Sequence, residues 1–299
     1  MDKLTVVSAA LGLVATCAYA FDINAPLARY DATGASSHDG TRYTVLSDLS
    51  GNGRDLTLGQ SLQPAANEDL LRGRALDCMG WGGTYAYGST PRVLDRTFSV
   101  WVNRLRGSSS RYTDNDCQYV VNNFSGMGVV CEVNTHFWDV SFAAQNIGFK
   151  IPVIRGAWHL LTVTVKDGGA RQGENALCEV KAYVDGELID SKESVEVPLA
   201  SSGNMTLANQ SSWNHSAFWG LADDFRLYGD ALTAEDVRAL FRTTKKAKLI
   251  AHFPMERIDV ADGVRTTPNI TRPTMPLTLG SLVSLTNGVV GRHGLFFDA

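Results

Sequence analysis

The feature that most constrains this chain is a period-two alternation of apolar side chains, repeated in segment after segment. In residues 97–103, Phe98, Val100 and Val102 point one way, while Ser99, Trp101 and Asn103 point the other. In residues 159–165, His159, Leu161, Val163 and Val165 share one face, with Leu160, Thr162 and Thr164 opposite. Strand signals of this kind run from about residue 27 to 228, broken by Gly, Asn and Asp turns. Val180, Ala182 and Val184 alternate in the same way, and Asp185-Gly186 then interrupts before residues 187–190. An Asp-Gly pair between alternating runs predicts a hairpin on a type I′ turn, with Gly186 supplying a positive φ.

One helix is predicted, over residues 233–242. Thr233 can cap its free amides, Glu235 and Asp236 suit the positive end of its dipole, and Leu232 can staple onto Val237. Val237, Leu240 and Phe241 form its apolar face. Many strands and one short, late helix argue for an all-β sandwich rather than an alternating α/β sheet.

The composition suits that architecture: 44% of the 299 residues are hydrophobic, and 28 Gly against 9 Pro fit tight turns better than disorder. The formal charge of −4 offers no electrostatic footprint for nucleic acid. The first twenty residues read as a signal peptide: Lys3 is the basic region, residues 4–15 are apolar, and Ala18-Tyr19-Ala20 is a small-x-small cleavage site. No later segment approaches the ~20 apolar residues of a spanning helix, so no transmembrane segment is expected after cleavage. A secreted, extracellular or cell-envelope protein is expected.

Cys17 leaves with the signal, so Cys78, Cys117, Cys131 and Cys178 remain as disulfide candidates in an oxidising compartment. Three pairings exist; Cys117 with Cys131 is favoured for its short separation, and buried free thiols are the alternative. After Lys245-Lys246 the chain starts to repeat. Ile250-Ala251-His252-Phe253 echoes Leu27-Ala28-Arg29-Tyr30, Leu277-Thr278-Leu279-Gly280 echoes Leu56-Thr57-Leu58-Gly59, and Gly291-Arg292 echoes Gly73-Arg74, all in order.

Several segments resemble laminin-G-like jelly-roll domains of the concanavalin-A-like lectin/glucanase superfamily. They are the turn Asp48-Leu49-Ser50-Gly51-Asn52-Gly53, the strand Phe98-Ser99-Val100-Trp101-Val102, Trp158-His159, and Tyr183-Val184-Asp185-Gly186. The most specific is Gly220-Leu221-Ala222-Asp223-Asp224-Phe225-Arg226-Leu227-Tyr228, followed by Ala231-Leu232-Thr233-Ala234-Glu235-Asp236-Val237. The resemblance implies an all-β, two-sheet antiparallel jelly-roll sandwich with one short C-terminal helix and ligands taken on loops or a concave sheet. The expected layout is signal peptide 1–20, a laminin-G-like domain at 22–243, and a linker with a partial second repeat at 244–299.

For ligand contact, the Gly-rich loop carrying Trp81, Tyr85 and Tyr87 stands out, because aromatic faces among glycines can stack on sugars. Trp213, Asn214 and His215 form a second candidate, pairing a stacking ring with groups that reach hydroxyls. Aromatics in a sandwich also serve as core. Asp48-x-Ser50-x-Asn52-Gly53 spaces oxygens as hard-cation loops do, although Gly59 occupies the twelfth position, where an EF-hand needs Glu. The resemblance adds an acidic residue of the closing strand, so Asp48, Asn52 and Asp223 are candidate Ca2+ ligands. A Gly/Asn turn is the alternative reading.

Hydrolysis of glycans would need two carboxylates facing each other ~5 to 9.5 Å apart. No Glu-x-Asp-x-x-Glu strand occurs, the pairs Asp223-Asp224 and Glu235-Asp236 fall on a closing strand and a helix cap, and no Gly-x-Ser-x-Gly elbow is present. His159 is expected to be a packed, hydrogen-bonded residue. No catalytic residue is nominated. The expected function is an extracellular binding module for a glycan or cell-surface protein, with a glycoside hydrolase or a ligand-free adhesin repeat as alternatives.

Overall fold

The computed structural model describes residues 21–66, 72–78, 85–91, 93–104, 118–124, 127–132, 137–142, 145–152, 156–199, 204–208, 218–245, 258–267, 277–279, 283–287 and 293–297. Alternating, β-branched and aromatic segments form strands throughout. In chain order these are Ala28–Tyr30 (β1), Ala35–His38 (β2), Tyr43–Leu46 (β3), Leu56–Leu58 (β4), Gln63–Pro64 (β5), Leu76–Asp77 (β6), Ala86–Ser89 (β7) and Arg96–Arg104 (β8). Then come Gln118–Phe124 (β9), Met127–Glu132 (β10), Phe137–Phe142 (β11), Gln145–Pro152 (β12), Trp158–Gln172 (β13), Asn175–Val184 (β14), Glu187–Pro198 (β15), Asn204–Leu207 (β16) and Gly220–Tyr228 (β17). Helix α1 spans Ala234–Thr244, and Asp259–Ala261 (β18), Val264–Thr267 (β19), Leu277–Leu279 (β20), Val283–Asn287 (β21) and His293–Phe297 (β22) follow.

These strands build a two-sheet antiparallel jelly-roll sandwich, as the alternation predicts. One sheet runs β15-β14-β13-β8-β17-β6-β5, with β1 added alongside β17; the other runs β12-β11-β10-β9-β16-β7-β4-β3-β2. Phe98, Val100 and Val102 of β8, Leu161, Val163 and Val165 of β13, and Val180, Ala182 and Val184 of β14 supply the first sheet's inner face. They join Leu46, Leu56, Leu58, Ala86, Val121, Met205 and Leu207 of the second sheet in one core. Each Val, Leu, Phe or Met side chain among them, taken from water, contributes roughly 1.5–3 kcal/mol.

The opposite face of the first sheet is covered too. Trp101, Leu160, Tyr183 and Tyr228 pack with Leu232, Val237 and Leu240 in a second apolar cluster, and the Trp101 and Phe241 rings stack 5.6 Å apart. Strand β8 is therefore buried along its whole length. The helix starts where the sequence predicts: Thr233 Oγ1 accepts from the Asp236 amide (3.2 Å), and the Asp236 carboxylate accepts from the Thr233 amide (3.1 Å), closing a capping box. It runs two residues beyond the predicted end, because Thr244 is buried and its hydroxyl accepts from Trp101 Nε1 (3.0 Å).

The β14–β15 hairpin turns on Asp185 (φ 52°) and Gly186 (φ 87°), both in the left-handed region that a type I′ turn requires. At the other end of the chain, Phe21 lies edge-on to Tyr228 at 5.0 Å. The Ile23 carbonyl accepts from Tyr228 Oη (3.0 Å) and Arg226 Nη1 (3.1 Å). The residues directly after the expected cleavage point are thus docked on β17.

The disulfide expectation is corrected for two of its four cysteines. Cys78 and Cys178 are both buried free thiols. Cys178 lies on β14 and Cys78 just beyond β6, four strand steps apart in the sheet; at ~4.8 Å per step this is ~19 Å, far beyond the Cα separation a disulfide spans. Burial raises the pKa of both thiols. Cys117 lies outside the described residues, and Cys131 sits in β10 opposite Gln118 and Trp138. In the region of the expected second repeat, β18, β19 and β20 form a three-stranded antiparallel sheet and β21 pairs with β22. No helix among the described residues is long and apolar enough to cross a membrane.

Candidate functional site

The two loops nominated from the sequence leave the sandwich from neighbouring roots. Cys78 N donates to Gly220 O (3.0 Å), Ala86 pairs with Leu207, and Phe218 N donates to Ala208 O (2.8 Å). The described residues that flank the two segments, Cys78 with Gly220 and Ala86 with Leu207, are thus hydrogen-bonded neighbours. Trp81, Trp213, Asn214 and His215 lie on these segments, outside the described residues.

Tyr85 and Tyr87 are described, and they are together. Ala86 between them is buried in the core, so the alternation of β7 turns both tyrosines to the outer face of the nine-stranded sheet. Their ring centroids are 5.7 Å apart, with the planes inclined by 50°. Tyr87 is 46% exposed. Register sets Thr57 of β4 on one side of Tyr87 and Thr206 of β16 on the other. Thr57 is exposed and Thr206 buried.

The backbone beneath the pair is tightly held. Gly59 N donates to Tyr85 O (2.7 Å), and Leu58 pairs with Ala86. A Cβ on Gly88 would lie 2.5 Å from Leu56 Cδ2 and 3.2 Å from the Asp55 carbonyl, so a side chain there would crowd the buried Leu56. Thr57 was not singled out in the sequence. The alternation of Leu56-Thr57-Leu58 marks it as outward, but only the register places it beside Tyr87.

The candidate calcium loop is held by a set of hydrogen bonds. Asp48 Oδ1 accepts from the amides of Arg29 (3.0 Å) and Ser50 (2.9 Å), and Oδ2 accepts from the Arg54 amide (3.1 Å). Burial pushes the Asp48 carboxyl up, but the hydrogen bonds from Ser50, Arg29 and Arg54 outweigh it and hold the group below the usual carboxylate range. Asn52 Nδ2 donates to Leu27 O (3.1 Å) and Ser50 Oγ (3.0 Å), tying the loop to the chain before β1. Asp223 is engaged elsewhere, with Arg72 Nη2 at 2.9 Å. In this fold the Asp48 carboxylate accepts from three backbone amides, and Asp223 pairs with a guanidinium. Among the described residues, no three His, Cys, Asp or Glu side chains gather with metal-ligand spacing.

Asp224 of β17 and His159 of β13 are also engaged. Asp224 accepts from Arg226 Nε (3.0 Å), Arg226 Nη2 (3.0 Å) and Arg29 Nε (3.0 Å). Burial raises its pKa, and Arg226 with Arg29 more than reverses that. His159 packs as expected, with Nδ1 2.9 Å from Asp185 Oδ2, while Asp185 Oδ1 accepts from the Leu160 amide (2.8 Å). These groups fasten the hairpin turn and the N-terminal strand to the sandwich.

Two antiparallel sheets in this order, with a capped helix on one outer face and paired aromatics on the other, define a lectin-type jelly roll. A laminin-G-type family model of the concanavalin A-like lectin/glucanases superfamily matches residues 82–238, more than half of the chain, and the chain belongs to that family. No curated protein matches it by sequence.

Among solved structures, it is similar to the binding domain of Paraclostridial Mosquitocidal Protein 1, with a TM-score of 0.55 and 14% identity over 92% of this chain and 76% of that one. The botulinum neurotoxin type G receptor binding domain gives 0.51 and 14% identity over 91% and 66%. The botulinum neurotoxin serotype D ligand binding domain, in complex with N-acetylneuraminic acid, gives 0.51 and 11% identity over 91% and 69%. At these identities the likeness establishes the fold. All three neighbours are binding domains.

Proposed function

We propose that this protein is an exported glycan-binding module whose ligand rests on the outer face of the nine-stranded sheet, against Tyr85 and Tyr87. The observation that carries this reading is the adjacent tyrosine pair with Tyr87 nearly half exposed, on a strand whose intervening residue is in the core. A tyrosine offers an apolar face for the C–H side of a sugar and a hydroxyl for its polar edge. Membership of a lectin-containing superfamily supports the reading by analogy of fold, and the sequence supports export through its first twenty residues.

A hydrolase is the competing reading, and the acidic residues weigh against it. Asp48, Asp223, Asp224 and Asp236 are bound to amides, guanidinium groups or the helix cap rather than facing one another across a groove. The test is a glycan array followed by calorimetry on the strongest hit. Tyr87→Ala is expected to weaken binding by at least about tenfold, or ~1.4 kcal/mol, without lowering the melting temperature. Release of reducing ends from any bound polysaccharide would instead favour the hydrolase.

A further inference from the structure

The mutual tilt of the two tyrosines narrows the class of ligand, given the glycan-binding reading above. A flat polysaccharide surface stacks on aromatic rings only when those rings lie in one plane, so that one face meets all of them at van der Waals distance. Tyr85 and Tyr87 cannot do this: their planes differ by 50° and their centroids are only 5.7 Å apart. A flat body laid on Tyr87 would stand at 50° to Tyr85 and touch it along an edge.

What touches both faces is a body small and convex enough to sit in the angle between them. We infer that the pair seats a single sugar ring, a chain end or branch of a soluble glycan, rather than the flat face of a crystalline polysaccharide. Thr57, exposed and in register with Tyr87, stands beside the seat with a hydroxyl that can donate to or accept from a ring substituent. The seat is held in place before any ligand arrives. Tyr87 projects from a strand hydrogen-bonded on each side, to β4 and β16, and Tyr85 directly before that strand is tied through its carbonyl to the Gly59 amide (2.7 Å). Preorganisation of this kind lowers the ordering cost of binding.

The experiment compares physical forms of the same sugars with the full chain. Pull-down on crystalline cellulose and chitin is set beside calorimetry on the matching mono-, di- and hexasaccharides, together with the glycans found on the array. Binding is expected to reach near-full strength with the shortest soluble ligand that binds. It should change by less than about threefold with further length, and fall at least about tenfold in Tyr85→Ala and in Tyr87→Ala. Tyr87→Phe, which keeps the ring, should stay within about threefold, and matched melting temperatures show that the variants fold.

Retention on crystalline polysaccharide that Tyr87→Ala abolishes would overturn the single-ring seat while leaving the glycan-binding reading intact. Affinity that climbs steadily from di- to hexasaccharide would do the same. Absence of binding to every glycan, in every form, would overturn both.

Discussion

The guanidinium of Arg72 lies 4.2 Å from the centre of the Trp101 ring while its Nη2 pairs with Asp223 at 2.9 Å. Its Nη1 donates to the Thr244 carbonyl at 2.6 Å. One side chain thus joins the segment before β6, the middle of β8, the start of β17 and the end of α1. Burial lowers the Arg72 pKa, and the charge and hydrogen bond of Asp223 oppose that. Truncation would leave the buried Asp223 carboxylate without the Arg72 guanidinium. Arg72→Ala is expected to cost about 3–5 kcal/mol in urea unfolding. The double replacement Arg72→Met with Asp223→Leu should cost distinctly less, because no charge is left behind.

Acid should loosen the attachment of the N-terminal strand. Asp48 and Asp224 both have folded-state pKa values below the ordinary carboxylate value. A depressed folded pKa contributes stability that is complete above the unfolded pKa of about 3.9 and is lost as pH falls through the folded value. Unfolding free energy should therefore hold between about pH 5 and 7 and fall steeply below about pH 4. Asp224→Asn, which has already given up that contribution, should be less stable at pH 7 and show a shallower decline in acid.

The cap of α1 makes a smaller, local prediction. Thr233→Ala removes the hydroxyl that accepts from the Asp236 amide, and about 1 kcal/mol of stability is expected to go with it. Thr233→Ser should keep most of it. Urea midpoints at constant slope measure both.

Gly186 should tolerate no side chain. At φ 87° its backbone favours glycine, and a Cβ would lie 3.2 Å from Phe241 Cβ and 3.3 Å from Arg238 Cα. The hairpin turn sits directly beneath α1, so strain and crowding add. Gly186→Ala is expected to cost more than about 1 kcal/mol, and Phe241→Ala in the same chain should not restore it, because alanine keeps the Cβ that crowds the turn.

The two buried thiols allow a chemical check. Cys78 and Cys178 should resist iodoacetamide in the folded protein, because both are buried and their pKa values are raised. Both should alkylate fully in urea without any reductant. A mass-mapped peptide linking the two would contradict the strand order itself.

Much of the scaffold was legible because its signals are local. Alternation in β8 and β13, the Asp185-Gly186 turn and the Thr233 cap each need only a few consecutive residues, and each appears as read. The cation-loop reading of Asp48 rests on an equally local pattern. Oxygens at alternate positions before a turn glycine suit a cation or a set of backbone amides equally, and the sequence does not show that the Arg29 and Arg54 amides reach this carboxylate. Tyr85 and Tyr87 were read with Trp81 as parts of one Gly-rich loop, whereas Tyr87 lies on β7 and Tyr85 directly before it, a pairing that strand register sets. Their tilt was not legible, because ring orientation answers to packing across strands.

The sequence by itself determined the strand periodicity, the turn, the cap and hence the class of sandwich, because those preferences are settled by φ/ψ sterics and by which side chains leave water. Tertiary structure alone decided that both faces of β8 are buried, that Arg72 meets Asp223 from a distant part of the chain, and that Cys78 and Cys178 stand strands apart. Such pairings depend on the order in which strands lie side by side. That order is fixed by the whole core at once, and no short window of residues carries it.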